Sequence, residues 1–257
     1  MRRGAFLHLG AFIATLQGSQ VSTQLVQAFV SMAQDDDLRQ QCAFQFPAVI
    51  VTIGRGRWFE VREAFLSLAR SDCPELRRSL SCSLHEVARV LGPDLSENEL
   101  VPVFEAMLND SEAISFGVTS HLADFLANVS PSWRVSFLPA LKELLDRAMG
   151  KKWRSRETIS WQLRGLASLL RPADAHDVLV PLVAELLHDK VAQVRQVAIE
   201  AAPAIAAALA SGEAPELQTE FVDMLKALAG AGFQERQTFV LLACNVMQTV
   251  RTPIAGS

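Results

Sequence analysis

Hydrophobic positions recur along the chain in seven copies of one pattern, with a period of 37 to 41 residues. Each copy can be numbered from a position zero, which falls at residues 1, 38, 76, 114, 155, 194 and 235. Offsets of 4, 8, 11, 12 and 15 from position zero carry apolar residues in every copy. These offsets follow one face of an α-helix, because a turn takes 3.6 residues. The pattern therefore predicts an amphipathic helix, helix B, in each copy.

A second helical pattern of 11–14 residues, helix A, precedes all helix B segments except the first. It covers residues 22–33, 58–70, 97–108, 135–148, 175–187 and 216–229. The A–B turns are polar, and the links from B to the next A contain Gly or Pro, which favour turns. Helix pairs with a period near 40 are typical of HEAT or armadillo arrays. Pro47 and Pro203 lie at the same offset in helix B, where a kink favours HEAT. The predicted fold class is all-α, an α–α superhelix of about six and a half two-helix repeats.

The repeats are expected to form one array over residues 1–250, followed by a flexible tail over 251–257. A single pair of helices cannot bury both of its apolar faces, whereas stacked neighbours can. Residues 1–7 begin with basic residues and continue with apolar ones, as a signal peptide does. The apolar offsets of the repeat also run in phase through this first segment, which favours a structural helix instead. The pattern starts and ends on a helix B without a polar cap, so we expect part of a longer array, as a fragment or short isoform.

Composition and charge argue against several classes of protein. Lys plus Arg is 24 and Asp plus Glu is 28, giving a net charge of −4, which argues against a nucleic-acid binder. No apolar run reaches the ~18 residues of a membrane span. The four Cys form no Cys-x-x-Cys motif, which favours a reducing compartment, the cytoplasm and also the nucleus. The five His do not show metal-ligand spacing on one helix. We expect no metal, no cofactor and no enzymatic activity.

Arginine occupies the position after position zero in six of the seven copies. These residues could bind anions, or each could bond an Asp in a turn of its own or the neighbouring repeat. The second interpretation is favoured, and Asp36, Asp72, Asp110 and Asp189 are placed for it. The predicted structural ladder consists of Arg39, Arg77, Arg156, Arg195 and Arg236.

The A–B turns should form a ridge that could bind a partner protein. Its first three turns are acidic, and the fourth is basic and aromatic. The candidate partner-binding residues are Asp35, Asp36, Asp37, Asp72, Glu75, Asp110, Lys151, Lys152, Trp153, Arg154, Asp189 and Lys190. Trp153 is the strongest single candidate, because Trp and Arg are enriched where proteins dock. The alternative is that Trp153 packs back on its own repeat.

Several stretches of the chain resemble one family. They are Asp36–Phe44, Leu76–Leu80 with Ser83–Ala88 and Leu91–Gly92, Leu100–Phe104, His121–Leu126, Trp153–Arg156 and Asp189–Arg195. Together they resemble the HEAT region of the regulatory subunit 1 family of protein phosphatase 4, most closely over residues 1–200. The resemblance implies a non-catalytic subunit that holds a metal-dependent Ser/Thr phosphatase catalytic subunit. It also implies that the ridge of A–B turns grips this partner, with further regulatory or substrate proteins as other partners, and neither nucleic acid nor membrane.

Two other functions are compatible with helical repeats. A generic HEAT adaptor in transport or assembly fits the repeat pattern equally well, and only the family resemblance ranks it lower. A HEAT-like DNA glycosylase would need a basic groove. The residues at offset seven do not supply one, because they are His8, Gln45, Ser83, His121, Gln162, Ala201 and Leu242.

Overall fold

A computed structural model describes residues 6–150, 152–211, 215–230 and 232–251. Within these ranges the secondary structure is helical, without any strand. None of the helices in them is both long enough and apolar enough to cross a membrane. The chain divides into two compact units, with the boundary between Trp133 and Arg134. The first five residues and the tail 252–257 lie outside the described residues. The prediction of a single array over 1–250 stays a prediction.

Unit 1 consists of short and medium helices in pairs. Its helices are α1 Leu9–Ala14, α2 Thr23–Ser31, α3 Arg39–Ile53, α4 Trp58–Ala69, α5 Pro74–Ser81, α6 Leu84–Leu91, α7 Val101–Leu108, α8 Glu112–Thr119 and α9 Leu122–Ala127. A short helix Pro93–Leu95 and a π-helical turn Ser96–Leu100 lead into α7. Successive B helices pack side by side: α1 on α3, α3 on α5 and α6, α5 on α8, and α6 on α9. The A helices α2 and α4 form the second layer.

Unit 2 has longer helices. They are α10 Pro131–Met149, which begins just before the unit boundary, α11 Trp153–Leu169, α12 Pro172–Leu187, α13 Ala192–Ala210, α14 Pro215–Ala227 and α15 Phe233–Arg251. The B helices α11, α13 and α15 pack in sequence, and the A helices α12 and α14 lie against α13 and each other. Paired A and B layers in both units confirm the predicted all-α fold of the α–α superhelix class.

The residues at offsets 4, 8, 11, 12 and 15 of each copy, the apolar columns, line the core. In the five inner copies nearly all of their members are buried, and each fully buried large side chain contributes roughly 1.5–3 kcal/mol. Unit 1 contains a line of rings, in which Phe46 lies 5.7 Å from Phe29 and 5.1 Å from Phe65 between ring centroids. Phe12, in the first described helix, is an exception at 52 % exposure. No earlier repeat packs against it within the described residues.

Helix B is interrupted in some copies, which the sequence pattern did not predict. In the third copy α5 ends at Ser81 and α6 starts at Leu84; in the fourth, α8 ends at Thr119 and α9 starts at Leu122. Ser and Thr hydroxyls near the end of each first segment donate to main-chain carbonyls: Ser79 donates to that of Glu75, and Thr119 to that of Ser115. Such bonds weaken helical continuity. Pro47 and Pro203, in contrast, lie inside helices that continue through them.

Glycine shapes two of the links from helix B to the next helix A. Gly54 and Gly92 follow α3 and α6 with φ of 75° and 73°, a conformation that other residues adopt only at a cost. The two links are joined, since the Arg55 guanidinium lies 3.6 Å from the Asp94 carboxylate. The glycines thus reverse the chain at equivalent points of successive repeats.

Candidate partner-binding site

The first acidic turn, Asp35–Asp37, leads into α3. The Asp37 main-chain N–H donates to Asp35 Oδ1 at 2.9 Å, which is the Asx-turn geometry typical of Asp in turns. Asp36 has a side chain that is 88 % exposed, and its carboxylate lies 3.2 Å from the Arg39 guanidinium. Asp36 and Asp37 are therefore accessible to a partner, and Arg39 pairs within its own turn.

The second acidic turn presents Asp72 and Glu75, both exposed. Cys73 lies between them, and its thiol is 3.1 Å from Glu75 Oε2. This bond lowers the pKa of the Glu75 carboxyl. The turn therefore presents two exposed carboxylates to solvent.

Asp110, in the third turn, is bonded to the preceding repeat. Arg77 donates from Nε to Oδ2 at 2.7 Å and from Nη2 to Oδ1 at 3.1 Å. Its Nη1 also donates to the Ser71 carbonyl at 2.6 Å. The bonds from Arg77 lower the pKa of the Asp110 carboxyl. The two turns are thereby tied together, and Asp110 is only partly available to a partner.

The basic turn differs from the sequence interpretation in where its aromatic residue lies. Lys151 lies outside the described residues, and Lys152 is exposed at the N-terminal boundary of α11. Trp153 is the first residue of α11 rather than a turn residue, because the helix starts two positions earlier than position zero. The residue is 37 % exposed, and the Arg154 guanidinium lies 4.9 Å from the ring centroid. Such cation–π contacts are worth ~0.5–1 kcal/mol at exposed sites.

Asp189 is buried, contrary to its expected place on an accessible ridge. Arg156 donates to both of its carboxylate oxygens, with Nη2 to Oδ1 at 3.1 Å, and the Val191 N–H donates to Oδ1 at 2.8 Å. Burial raises the pKa of the Asp189 carboxyl, but the bonds from Arg156 and Val191 outweigh it and hold the pKa below its usual value. The neighbouring Lys190 is exposed.

The five arginines of the ladder thus behave in different ways. Arg77 and Arg156 reach the turn of the following repeat, in each case to an Asp 33 residues later. Arg39 bonds within its own turn, and Arg195 donates to the Asp189 main-chain carbonyl at 2.7 Å. Arg236 is exposed in the first turn of α15. Binding of a partner protein by residues of the ridge stays a prediction.

Gln45 has a structural role that the sequence did not reveal. Its Nε2 donates to the Leu7 carbonyl at 2.8 Å, and its Oε1 accepts from the Gly10 N–H at 2.9 Å. Both groups border the turn at His8 in the first helix B segment, where main-chain groups lack helical partners. Gln45, from the next repeat, satisfies them. The sequence signal that could have revealed this role is a polar residue, Gln45, beside the apolar stripe of helix B at offset seven.

His85 and His121 also come together across successive repeats. Their rings stack with centroids 3.9 Å apart and planes 12° apart, and His121 Nδ1 lies 3.7 Å from Asp124 Oδ2. Burial, and then the neighbouring His121, lower the pKa of His85. The sequence analysis found no two histidines at metal-ligand spacing on one helix and therefore predicted no metal site. The proximity of His85 and His121 arises from the contact between α6 and α9, which spacing on one helix cannot show.

Some known proteins are similar to this chain in sequence, and others are similar to it in fold. Residues 42–144 match the family model described as the protein phosphatase 4 regulatory subunit 1 middle domain. The serine/threonine-protein phosphatase 4 regulatory subunit 1 of Rattus norvegicus and that of Homo sapiens are each 32 % identical over 216 residues. The match covers 83 % of this chain but 23 % of either relative, so the chain spans about a quarter of their length.

Solved structures of helical repeat proteins resemble the fold. A designed armadillo repeat protein superposes with a TM-score of 0.51 at 15 % identity, covering 85 % of this chain and 99 % of its own. An engineered protein gives 0.50 at 15 % identity, covering 95 % and 96 %. These likenesses support the fold alone. The sequence matches confirm the family resemblance. Residues 42–144 match the middle-domain model, and 83 % of the chain aligns with the curated relatives. This chain is therefore related to the regulatory subunit 1 family of protein phosphatase 4.

Proposed function

We propose that this chain is a non-catalytic HEAT-repeat scaffold that binds a Ser/Thr protein phosphatase catalytic subunit of the phosphatase 4 type and directs its activity. The observation behind this proposal is the 32 % identity, over 83 % of the chain, to proteins named as phosphatase 4 regulatory subunits. Repeat arrays suit such a role, since stacked helix pairs present a long row of turns to a partner.

Two exposed surfaces are the proposed contacts, one in each unit. The acidic surface consists of Asp36, Asp37, Asp72 and Glu75. The basic surface consists of Lys152, Trp153, Arg154 and Lys190. Opposite charge on each surface would orient complementary patches of a partner and accelerate association. A half-exposed Trp with a stacked Arg is also the kind of anchor that interfaces favour.

Asp110 and Asp189 serve the proposed function indirectly. Each carboxylate is held by an arginine of the preceding repeat, so its charge is largely compensated within the fold. We expect these pairs to set the spacing of consecutive turns rather than to contact the partner. Their removal should reduce stability more than it reduces binding per folded molecule.

The basic surface is tested by titrating the chain with purified phosphatase 4 catalytic subunit in a calorimeter. Trp153→Ala combined with Arg154→Ala should weaken binding about 10-fold or more, as loss of an interface anchor does. Trp161→Ala is the matched control, because Trp161 lies on the same helix and is 55 % exposed. An equal loss in both variants would contradict the assignment of Trp153.

The acidic surface is tested in the same assay with Asp72→Lys combined with Glu75→Lys. Reversal of two charges should slow association and reduce affinity, more strongly at low salt than at high salt. Glu105→Lys combined with Glu143→Lys, two exposed changes on α7 and α10 that alter the net charge by the same amount, is the control. Absence of binding by the unaltered chain would reject the phosphatase role for this chain and favour a generic HEAT adaptor.

A further inference from the structure

We propose that His85, His121 and Asp124 form a binding site for a divalent transition-metal ion, Zn²⁺ in the first instance, that joins two consecutive repeats of unit 1. One ligand atom from each residue lies within 4.8 Å of those of the other two. The inference goes beyond the proposed phosphatase function and is independent of it.

Two interrupted helices bring these residues together. His85 is the second residue of α6, and His121 immediately precedes α9, with Asp124 three positions later in its first turn. The helices α6 and α9 are equivalent segments of successive repeats and pack against each other. A His and a carboxylate at i and i+3 share one face of a helical turn, so α9 supplies two ligands and α6 the third.

His85 has an uncommitted nitrogen at this contact. Its Nδ1 is buried and has no hydrogen-bond partner, although an unsatisfied buried polar atom is costly. Its Nε2 lies 3.3 Å from Glu86 Oε1. Donation of Nε2–H to that carboxylate would fix the tautomer that leaves the Nδ1 lone pair free. Metal-binding histidines are commonly held in this way by a carboxylate behind the ring.

Small side-chain movements would complete the site. Ligands of one tetrahedral Zn²⁺ lie about 3.3 Å apart, given Zn–N bonds of ~2.0–2.1 Å. The separations here are longer, 3.7 Å between His121 Nδ1 and Asp124 Oδ2 and up to 4.8 Å within the cluster, and the two rings are stacked, so their lone pairs run side by side. Rotation of the His121 ring about χ2 would bring its lone pair towards the same point, and this torsion is soft for His. His121 and Asp124 have side chains 39 % and 69 % exposed, which leaves room for that movement.

The donor set selects the class of ion. Imidazole nitrogens with one carboxylate oxygen suit Zn²⁺ and its transition-metal neighbours, whereas Mg²⁺ and Ca²⁺ prefer oxygen ligands throughout. Asp124 neutralises part of the ion's charge, and Glu86 adds a second carboxylate behind His85 while Arg89 pairs with Glu86. Three protein ligands leave a fourth position, open towards solvent, for water or a side chain of a bound protein.

The test is calorimetric titration of Zn²⁺ into the full chain without a polyhistidine tag. We expect one equivalent to bind and the melting temperature to rise with Zn²⁺ concentration, since a ligand of the folded state stabilises it. His121→Asn and Asp124→Asn each remove a direct ligand. Loss of a residue that only supports a ligand weakens metal binding by ~10–100-fold, so each variant should weaken Zn²⁺ binding by at least that much. Both residues are partly exposed, so these variants should fold.

His176→Asn is the matched control. His176 is also flanked by two carboxylates, those of Asp177 and Glu220, each 3.3 Å away. Among the residues that the structure describes, however, it does not belong to a cluster of three possible metal ligands. This variant should bind Zn²⁺ as the unaltered chain does. Absence of stoichiometric Zn²⁺ binding, or binding that both His121→Asn and Asp124→Asn leave unchanged, would overturn the proposal.

Cobalt substitution distinguishes this site from a cysteine site. Co²⁺ bound by two imidazoles and a carboxylate lacks the intense thiolate charge-transfer band. Appearance of that band, with loss of binding in Cys82→Ser, would assign the ion to the exposed Cys82 and reject the histidine site.

Discussion

Arg77 and Asp110 lie 33 residues apart in the sequence and face each other through two N–H···O bonds of 2.7 and 3.1 Å. The same spacing and the same two-point contact recur at Arg156 and Asp189. In both pairs helix B of one repeat is bonded to the A–B turn of the next. The contact fixes the register of neighbouring repeats because the planar guanidinium matches both carboxylate oxygens.

The three Asp residues whose carboxylates pair with ladder arginines, Asp36, Asp110 and Asp189, should differ in their effect on stability. Asp189→Asn should lower the free energy of unfolding by ~3 kcal/mol, because it uncouples a buried pair. Asp110→Asn, at a partly buried pair, should cost ~1–2 kcal/mol. Asp36→Asn, at an exposed pair, should stay within ~0.5 kcal/mol. Urea unfolding followed by circular dichroism measures all three, and an effect of Asp36→Asn equal to that of Asp189→Asn would contradict the role of burial.

Stability should also fall in acid. The pKa values of Asp110 and Asp189 are lower in the folded protein than in the unfolded chain, so the folded state binds fewer protons. Their contribution is complete above the unfolded pKa of about 3.9 and is lost as pH falls through the lower folded pKa. Urea midpoints should therefore decline below about pH 5. The double variant Asp110→Asn/Asp189→Asn should show a shallower decline, and an unchanged slope would refute this linkage.

Gln45 should be essential to the first described helix. Gln45→Ala leaves the Gly10 N–H and the Leu7 carbonyl without their partner, and should cost ~1–3 kcal/mol. Amide hydrogen exchange at Gly10 should accelerate by more than global destabilisation alone requires. Gln40→Ala, an exposed change on the same helix α3, is the control and should leave both measurements unchanged.

Gly117, on α8 of the fourth repeat, lies directly against Ser81 and Cys82 of the third repeat. A Cβ at this position would lie 2.1 Å from Ser81 Oγ and 3.2 Å from the Cys82 main-chain nitrogen. Gly117→Ala should therefore destabilise the protein by ~1–3 kcal/mol through overcrowding. Adding Ser81→Ala should restore part of the loss, since it removes the nearest atom. Gly56→Ala, with no atom within 4 Å of its Cβ, should be nearly neutral; thermal denaturation compares the three.

The cysteines should react with alkylating reagents in a fixed order. Cys42 is buried, and burial raises the pKa of its thiol to about 12, so the reactive thiolate is scarce. Cys82 and Cys244 are exposed. Iodoacetamide at pH 8 should modify the exposed pair first and Cys42 only after unfolding, as mass spectrometry of timed samples would show. Early modification of Cys42 in the folded chain would contradict its burial.

The repeat period, the paired helices and the buried columns were predictable from the sequence because each follows from local periodicity. An apolar stripe with helical spacing must face a neighbour wherever the helix lies, so residues such as Phe46 and Leu163 are buried as expected. The arginine column was likewise visible in the sequence, but the sequence left open whether each arginine would bond a turn of its own repeat or of the neighbouring one. The family resemblance came from short stretches spread over several repeats.

The tertiary structure decided what depends on the rotation and separation of adjacent repeats. It buried Asp189 beneath Arg156, placed Trp153 in the first turn of α11, and set Gln45 against the turn at His8. It also stacked His85 on His121, although they are 36 residues apart. A one-dimensional pattern fixes which face of a helix is apolar, but polar side chains at its edge acquire partners only when two helices meet at a definite angle and register.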